Sequence, residues 1–159
     1  MKKLKIITVK DNLNFLRKIS KKLSLNEIKE KENQEFIDQL IYTVKNTKLD
    51  NGWETAGLAA IQAGKDIALM VCKDLFTNEF IAYINPEIEY LGQAKDIKIE
   101  GCLSVPGVEG NVERFKRIRI KYLDRNAVVH IDKVDGYNAR ILQHEADHLQ
   151  GILFTDKLV

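Results

Sequence analysis

The residues most able to do chemistry lie in the segment His144-Glu145-Ala146-Asp147-His148. In a helix, residues four positions apart share one face, so the two imidazoles can bind one metal ion. Glu145 lies about a third of a turn from His144. Its carboxylate is there placed to take a proton from an attacking water molecule rather than to bind the metal. The same pattern also occurs by chance on solvent-exposed helices, so the motif needs a third ligand as support.

The residues after His148 do not supply that ligand. The extended metalloprotease pattern H-E-x-x-H-x-x-G-x-x-H is followed as far as Gly151, but Phe154 replaces its last histidine. Asp156 is the only carboxylate after His148, and no glutamate follows on a later helix. Because a catalytic metal usually has three protein ligands and one open position, we expect the third ligand upstream. This argues against a zinc endopeptidase.

Besides many carboxylates, three upstream residues are candidates. Cys72 lies in an apolar run and is typical of a buried core thiol. His130 lies between two β-branched residues, which favours a half-exposed strand histidine. Cys102 follows Gly101 and precedes small and turn-forming residues, where backbone amides can approach a metal or a substrate. We favour Cys102, because two imidazoles and one thiolate suit zinc or ferrous iron, and the metal would keep the thiol deprotonated.

The element that must carry the two histidines is predicted by hydrophobic spacing. Helical spacing extends over residues 139–151, with Leu142, Ala146 and Leu149 on one face. Gly151 is a plausible stop at its C-terminal end. The motif is therefore expected on a C-terminal helix.

The other elements are predicted in the same way. Ser24-Leu25-Asn26-Glu27 has the form of a capping box, and the apolar residues after it predict one amphipathic helix over about residues 25–46. The pattern in the middle of the chain predicts β-strands. Four segments are predicted to be strands: 67–72, 80–84, 118–123 and 128–131. The second is expected to stop at Asn85-Pro86, and the last two are expected to form a hairpin.

The composition fits one globular domain. The chain has 159 residues, 45% hydrophobic and 30% charged, which is too apolar for a disordered chain and long enough to bury a core without disulfides. The net charge of +2 and the mixed signs make nucleic acid an unexpected main partner. Lys10 and Asp11 interrupt the apolar start of the chain, and no stretch approaches the roughly 18 apolar residues of a membrane helix. We expect a cytoplasmic protein with Cys72 and Cys102 as thiols.

Three segments together resemble the peptide deformylase family. Glu100–Ser104 resembles E-G-C-L-S, Gln143–Gly151 resembles Q-H-E-x-D-H-L-x-G, and Gly57–Gln62 resembles most of G-x-G-L-A-A-x-Q. Weaker similarity extends over nearly the whole chain. The resemblance implies an α+β fold, with antiparallel β-sheets packed around a C-terminal HExxH helix and an N-terminal amphipathic helix. It also implies a single catalytic domain over residues 1–159.

The activity implied by the resemblance is removal of the formyl group from the N-terminal formyl-methionine of newly synthesised polypeptides, releasing formate. Cys102, His144 and His148 would hold one divalent metal ion, ferrous iron in the cell, with zinc, nickel or cobalt also able to occupy the site. Glu145 would be the general base and would then deliver the proton to the departing amine. The expected partners are formyl-methionyl nascent polypeptides near the ribosome exit, with no membrane or specific nucleic acid, and the chain is expected to be a monomer.

The resemblance also assigns the groups that contact the substrate. The side-chain amide of Gln62 and the backbone N–H of Leu103 would stabilise the negative charge that develops on the formyl oxygen. Gln62 by itself would otherwise be an ordinary surface glutamine.

The peptide part of the substrate is expected to pair, like an added strand, with backbone groups around Ala56, Gly57 and Gly101. The methionine pocket is expected to include Ala56, Tyr137 and Ile141. Tyr137 and Ile141 are four positions apart, which fits ordinary helix packing equally well.

The sequence departs from the family pattern at two positions. Thr55 occupies the first glycine of G-x-G-L-A-A-x-Q. If that position needs a positive φ, a β-branched residue there costs about 1–3 kcal/mol, or else the loop is remodelled. Glu109 lies where many relatives carry arginine. Glu54 and Arg114 are candidates for an ion pair that braces the site, or for two solvated charges.

Two readings outside catalysis compete with a hydrolase. One is a metal-loaded, catalytically impaired binder of formylated N-termini, but binding alone would not require Glu145 as a base. The other is a structural metal protein, but structural zinc prefers four protein ligands and no fourth is evident.

Overall fold

A computed structural model describes all 159 residues. The chain forms four α-helices, seven strands and two short 3₁₀ helices, and the 3₁₀ helices lie at Ala60–Ala63 and Phe154–Lys157. In chain order they are α1 (Val9–Leu16), α2 (Leu25–Lys29), α3 (Lys31–Lys45), β1 (Gly57–Ala59), β2 (Leu69–Lys73), β3 (Phe80–Tyr90), β4 (Lys95–Cys102), β5 (Val105–Phe115), β6 (Arg117–Leu123), β7 (Val129–Asp135) and α4 (Gly136–Leu149). None of the helices combines the length and the apolar character needed to span a membrane.

The strands form two antiparallel sheets. The larger sheet has the order β1-β2-β3-β6-β7, and β4 pairs with β5 in a separate two-stranded sheet. Helix α4 contacts strands of both sheets. The predicted α+β architecture around a C-terminal helix is therefore confirmed.

The core lies on both faces of the larger sheet because side chains alternate along its strands. In β2, Met70 and Cys72 pack into the cluster that includes Leu142 of α4. Leu69 and Val71 point the other way, into the cluster that includes α3. Strand β2 is thus buried on both faces, which explains why its sequence is a continuous apolar run.

The predicted helix over residues 25–46 is two helices. The Ser24 capping box forms as predicted, with the Ser24 hydroxyl accepting from Glu27 N–H and the Glu27 carboxylate accepting from Ser24 N–H. Glu30 then adopts an extended ψ of 137°, which separates α2 from α3. The buried Asn33 side chain donates to the Glu27 carbonyl at 2.7 Å, so a local hydrogen bond stabilises the break.

Strand β3 does not stop at Asn85-Pro86 as predicted. Its pairing with β6 shifts register between Ile84 and Glu87, so the strand crosses the proline through a bulge. The Asn85 side chain accepts from Leu23 N–H at 2.9 Å and donates to the Leu23 carbonyl at 2.8 Å. This long-range pairing, absent from the local pattern, stabilises the irregular backbone.

The hairpin of β6 and β7 and the C-terminal helix are confirmed, although β7 continues to Asp135 instead of ending at residue 131, and α4 begins earlier, at Gly136. Gly151 follows its last residues with a φ of +71°, so it stops the helix as expected. Sequence patterning missed α1, β1, β4 and β5.

Gly151 provides a test of how the C-terminal helix is held. A Cβ at this position would collide with the Arg17 carbonyl oxygen, in the chain just after α1. Gly92 has the same φ of +71° but no atom near its would-be Cβ. We expect Gly151→Ala to lower the free energy of unfolding by about 2–4 kcal/mol and Gly92→Ala by about 1 kcal/mol. Urea unfolding measures both, and equal losses would contradict a steric role for Gly151.

Candidate active site

Three side chains from two elements converge at one point. His144 and His148 project from α4, and Cys102 ends β4. Their ligating atoms all lie within 4.8 Å of one another, and Cys102 Sγ is 3.4 Å from His148 Nε2. The structure thus brings together the three residues that the sequence singled out as metal ligands.

The other two candidate ligands lie elsewhere. Cys72 is buried in the cluster between β2 and α4, where burial raises the pKa of its thiol well above the usual value. His130 lies on β7 with Nε2 2.7 Å from an Asp124 carboxylate oxygen. Neither belongs to the group of side chains that could hold a metal ion.

His144 is oriented by a buried carboxylate. Its Nδ1 lies 2.7 Å from Glu100 Oε1, which leaves Nε2 directed toward the cluster. Glu100 and Cys102 are two residues apart on β4, so strand alternation places both side chains on the same face. This spacing could have identified Glu100 from the sequence.

Two buried arginines complete the support. The Arg114 guanidinium donates to both oxygens of Glu100, at 2.9 and 2.8 Å, and to Asp147 at 2.6 Å. Arg140 donates to Glu100 at 2.6 Å and to Asp96 at 2.7 Å. Burial works against ionisation of Glu100, but hydrogen bonds from Arg114 and His144 outweigh it and hold the pKa of this carboxyl far below its usual range.

The suggested ion pair between Glu54 and Arg114 is wrong. Arg114 is 3% exposed and belongs to the network around Glu100. Glu54 is exposed and lies 3.9 Å from Lys73 Nζ. The correct partners of Arg114 come from β4 and α4, and no sequence spacing relates them to it.

The donor set fits a cation. Burial lowers the pKa of His144, but its hydrogen bonds to Cys102 and Glu100 outweigh burial, so this pKa lies well above the usual value. Burial and the charge of His144 instead lower the pKa of His148 well below its usual value, which favours the neutral imidazole, the form that binds a metal ion. One thiolate and two imidazoles form a set that suits zinc or ferrous iron.

Glu145 lies beside the cluster with an unpartnered oxygen. The residue is 5% exposed, Oε1 is 4.0 Å from His144 Nε2, and Oε2 has no hydrogen-bond partner. Burial raises the pKa of Glu145 to about 7, so it can both accept and donate a proton near neutral pH. A Cβ on Gly57 would lie 2.6 Å from Glu145 Cγ, so β1 approaches α4 this closely only because residue 57 is glycine.

Gln62 presents its amide nitrogen to the cluster. Its Oε1 accepts from Ala59 N–H at 2.9 Å, which fixes the side chain. Nε2 then lies 3.1 Å from Ser104 Oγ and 3.5 Å from Cys102 Sγ. Gln62 is 2% exposed, so the reading of an ordinary surface glutamine is wrong.

One cavity joins these groups to the substrate-contacting residues expected from the sequence. These residues line the cavity from three segments of the chain. Ala56 and Gly57 lie at the start of β1, Gly101 and Leu103 flank Cys102, and Tyr137 and Ile141 belong to α4. Ile141 is 6% exposed, so it packs in the core while also lining the cavity. Three apolar lining residues were missed by the sequence reading: Leu49, Trp53 and Ile99.

Thr55 carries no strain from a positive φ, because it is absent from the residues with that conformation. Its hydroxyl instead lies 3.0 Å from the Val44 carbonyl and 2.9 Å from the Thr47 carbonyl, at the end of α3. Glu109 accepts a hydrogen bond from Asn51 at 2.6 Å.

Comparisons with known proteins agree with this geometry. The family model described as polypeptide deformylase matches residues 3–159. The peptide deformylase of Leptospira biflexa is 38% identical over 153 residues, covering 91% of this chain and 82% of that protein. The crystal structure of peptide deformylase from Thermotoga maritima is similar, with a TM-score of 0.86 and 31% identity over 100% of this chain and 99% of that one. An actinonin-bound class I type b peptide deformylase from Acinetobacter baumannii has a TM-score of 0.87 and 30% identity, with both chains fully covered.

Metal binding can be tested with controls that the chain itself provides, because it has two cysteines and three histidines. We expect Cys102→Ala and His148→Ala to lose most bound metal after loading and desalting, since each removes one of three ligands. Cys72→Ala and His130→Ala should retain the wild-type stoichiometry. Atomic emission measures the metal per chain. Full occupancy in Cys102→Ala would contradict the assigned centre.

Proposed function

Since this chain belongs to the polypeptide deformylase family and is thus a metal-dependent hydrolase of N-terminal formyl groups, we propose that the cavity between β1, β4 and α4 is its active site. The convergence of Cys102, His144 and His148, beside a buried glutamate with a free oxygen, carries this assignment.

The three ligating residues would hold one divalent metal ion. When bound, that ion supplies a Lewis acid that polarises the formyl carbonyl and makes a water molecule more acidic. We propose ferrous iron as the ion in the cell, with zinc, nickel and cobalt as ions that the same thiolate and imidazoles accept. Glu100 would keep the His144 ring in position through the hydrogen bond to Nδ1.

Glu145 acts as the general base and then as the general acid. Its carboxylate takes a proton from the attacking water as the water oxygen bonds to the formyl carbon. As the carbon–nitrogen bond breaks, Glu145 gives that proton to the departing amine, and formate is released. A pKa of about 7 suits both steps.

Gln62 and Leu103 stabilise the charge that develops on the formyl oxygen. The Gln62 amide nitrogen is directed toward Cys102 because its oxygen is held by Ala59 N–H. A donor that is oriented before the reaction needs no reorganisation as charge develops. The backbone N–H of Leu103, next to Cys102 and on the cavity wall, is the second proposed donor.

The peptide part of the substrate would lie as an added strand along Ala56, Gly57 and Gly101. Strand β1 is at the end of its sheet and pairs only with β2, so its other edge is free for this pairing. Ala56, Tyr137 and Ile141 would contact the methionine side chain from the cavity wall.

The family acts on formylated nascent peptides. We propose that residues 1–159 form a single catalytic domain that acts as a monomer in the cytoplasm, on chains leaving the ribosome. A catalytically impaired binder is not favoured, because Glu145, Gln62 and Cys102 are all in place.

Formate release tests the proposed chemistry. Protein purified without oxygen and loaded with ferrous iron should release formate from formyl-Met-Ala-Ser, whereas Glu145→Ala with the same metal content should be slower by at least about 100-fold, because it lacks the base. Formate is measured by a coupled dehydrogenase assay. No turnover by fully loaded wild type would reject the proposed function.

Gln62→Glu tests the stabilisation of the formyl oxygen. A carboxylate at this position would repel the developing negative charge, so we expect kcat to fall by about 100-fold or more with a smaller change in KM. Steady-state kinetics at matched metal content separates the two parameters. A change confined to KM would show that Gln62 contacts only the ground-state substrate.

A further inference from the structure

Residues 48–54 form a short hairpin between α3 and β1, which we call the strap. Lys48 and Glu54 pair as an antiparallel bridge, and Leu49 N–H donates to the Trp53 carbonyl at 2.9 Å. Gly52 makes the turn with a φ of +85°, and its N–H donates to the Leu49 carbonyl at 2.8 Å. The strap is therefore an ordered element with its own hydrogen bonds.

The strap is attached to the body of the protein at its base and at its tip. At its base, the Thr55 hydroxyl contacts the carbonyls of Val44 and Thr47 at the end of α3. At its tip, Asn51 Nδ2 donates to Glu109 Oε1 of β5 at 2.6 Å. The strap thus reaches from α3 to β5, and its residues line both the cavity and the cleft beside it.

Two apolar side chains of the strap line the cavity without joining the core. Trp53 is 45% exposed, although it has one of the largest apolar surfaces of any side chain. Leu49 lies over Gly101, with Cδ1 3.2 Å from the position of a Cβ there, and it also lines the adjoining cleft along β5. Neither residue belongs to any of the three buried clusters. Exposed apolar surface next to a reaction site is typical of a binding surface.

We propose that the strap is a substrate-recognition element, in which Leu49 and Trp53 bind the apolar side chains that follow formyl-methionine. This inference rests on the proposed function, because it needs the substrate strand to run past Gly101. A peptide continuing beyond Gly101 meets Leu49 next, since that side chain covers the glycine. The enzyme therefore prefers formylated peptides with apolar residues after methionine.

The hydrogen bonds of Thr55 and Asn51 hold the strap in place before the substrate binds. A wall held in place loses less conformational entropy on binding than a mobile loop does. Asn51 and Glu109 are positioning residues in this account, because they contact the strap and not the substrate. Glu109→Gln retains an oxygen that can accept from Asn51, whereas Glu109→Ala does not.

The first experiment compares three substrates: formyl-Met amide, formyl-Met-Leu-Leu amide and formyl-Met-Ser-Ser amide. For iron-loaded wild type, we expect kcat/KM to be highest for the leucine peptide. Trp53→Ala and Leu49→Ala should each lower the leucine-to-serine ratio of kcat/KM by about five- to tenfold, mainly through KM, since an apolar contact is lost. Phe76→Ala is the matched control, because Phe76 is 90% exposed and lines neither cleft at the site.

The positioning role is tested at the tip of the strap. Asn51→Ala and Glu109→Ala should lower the same ratio, and Glu109→Gln should restore it. Circular dichroism and metal content confirm that the variants fold and load. An unchanged ratio in Trp53→Ala and Leu49→Ala would overturn the inference while leaving the proposed function intact.

Binding gives a second readout, because Trp53 is the single tryptophan of the chain. We expect its emission to shift when the metal-loaded Glu145→Ala variant binds the leucine peptide, with calorimetry on the same sample giving the occupancy. Saturation by calorimetry without any change in Trp53 emission would overturn the inference. Failure of wild type to cleave any of the three substrates would reject both the proposed function and this inference.

Discussion

The buried carboxylate of Glu100 is the interaction on which the site depends. It accepts hydrogen bonds from Arg114 of β5 and Arg140 of α4, and it contacts the ring of His144. One side chain thus joins the two-stranded sheet to the helix that carries both histidines. Removing one partner of such a network leaves a buried charge unpaired, which typically costs about 3–5 kcal/mol. The same contacts that hold the elements together therefore position the side chains proposed as metal ligands.

Close approach of backbone is the second requirement, and glycine provides it. Gly57 lets β1 lie against Glu145, and Gly151 lets the chain after α4 lie against Arg17. Arg17 also forms a salt bridge with Asp156, which ties α1 to the last turn of the chain. Glu145, Cys102 and His148 are all buried. Burial in turn raises the pKa of Glu145 and strengthens every electrostatic interaction in the cavity.

Different elements of the fold contribute the proposed reacting groups and the apolar surface at the edge of the cavity. The groups proposed to react lie on α4, on the end of β4 and on the turn after β1, and buried hydrogen bonds connect these elements. The strap contributes apolar surface at the mouth and is held by partly exposed polar contacts. The chemistry and the contacts to the rest of the peptide thus come from different parts of the fold.

The sequence by itself determined the features that depend on local spacing. Helical periodicity placed His144 and His148 on one face, alternation identified the β6–β7 hairpin, and the three motifs identified the family. Tertiary structure alone decided which charges pair. Arg114 joins Glu100 and Asp147 instead of Glu54, and Asn85 continues β3 by bonding to Leu23. These partners are separated by many residues, and only packing brings them together, so no period in the sequence encodes them. For the same reason the strap, whose role depends on what lies across the cavity, was visible only in three dimensions.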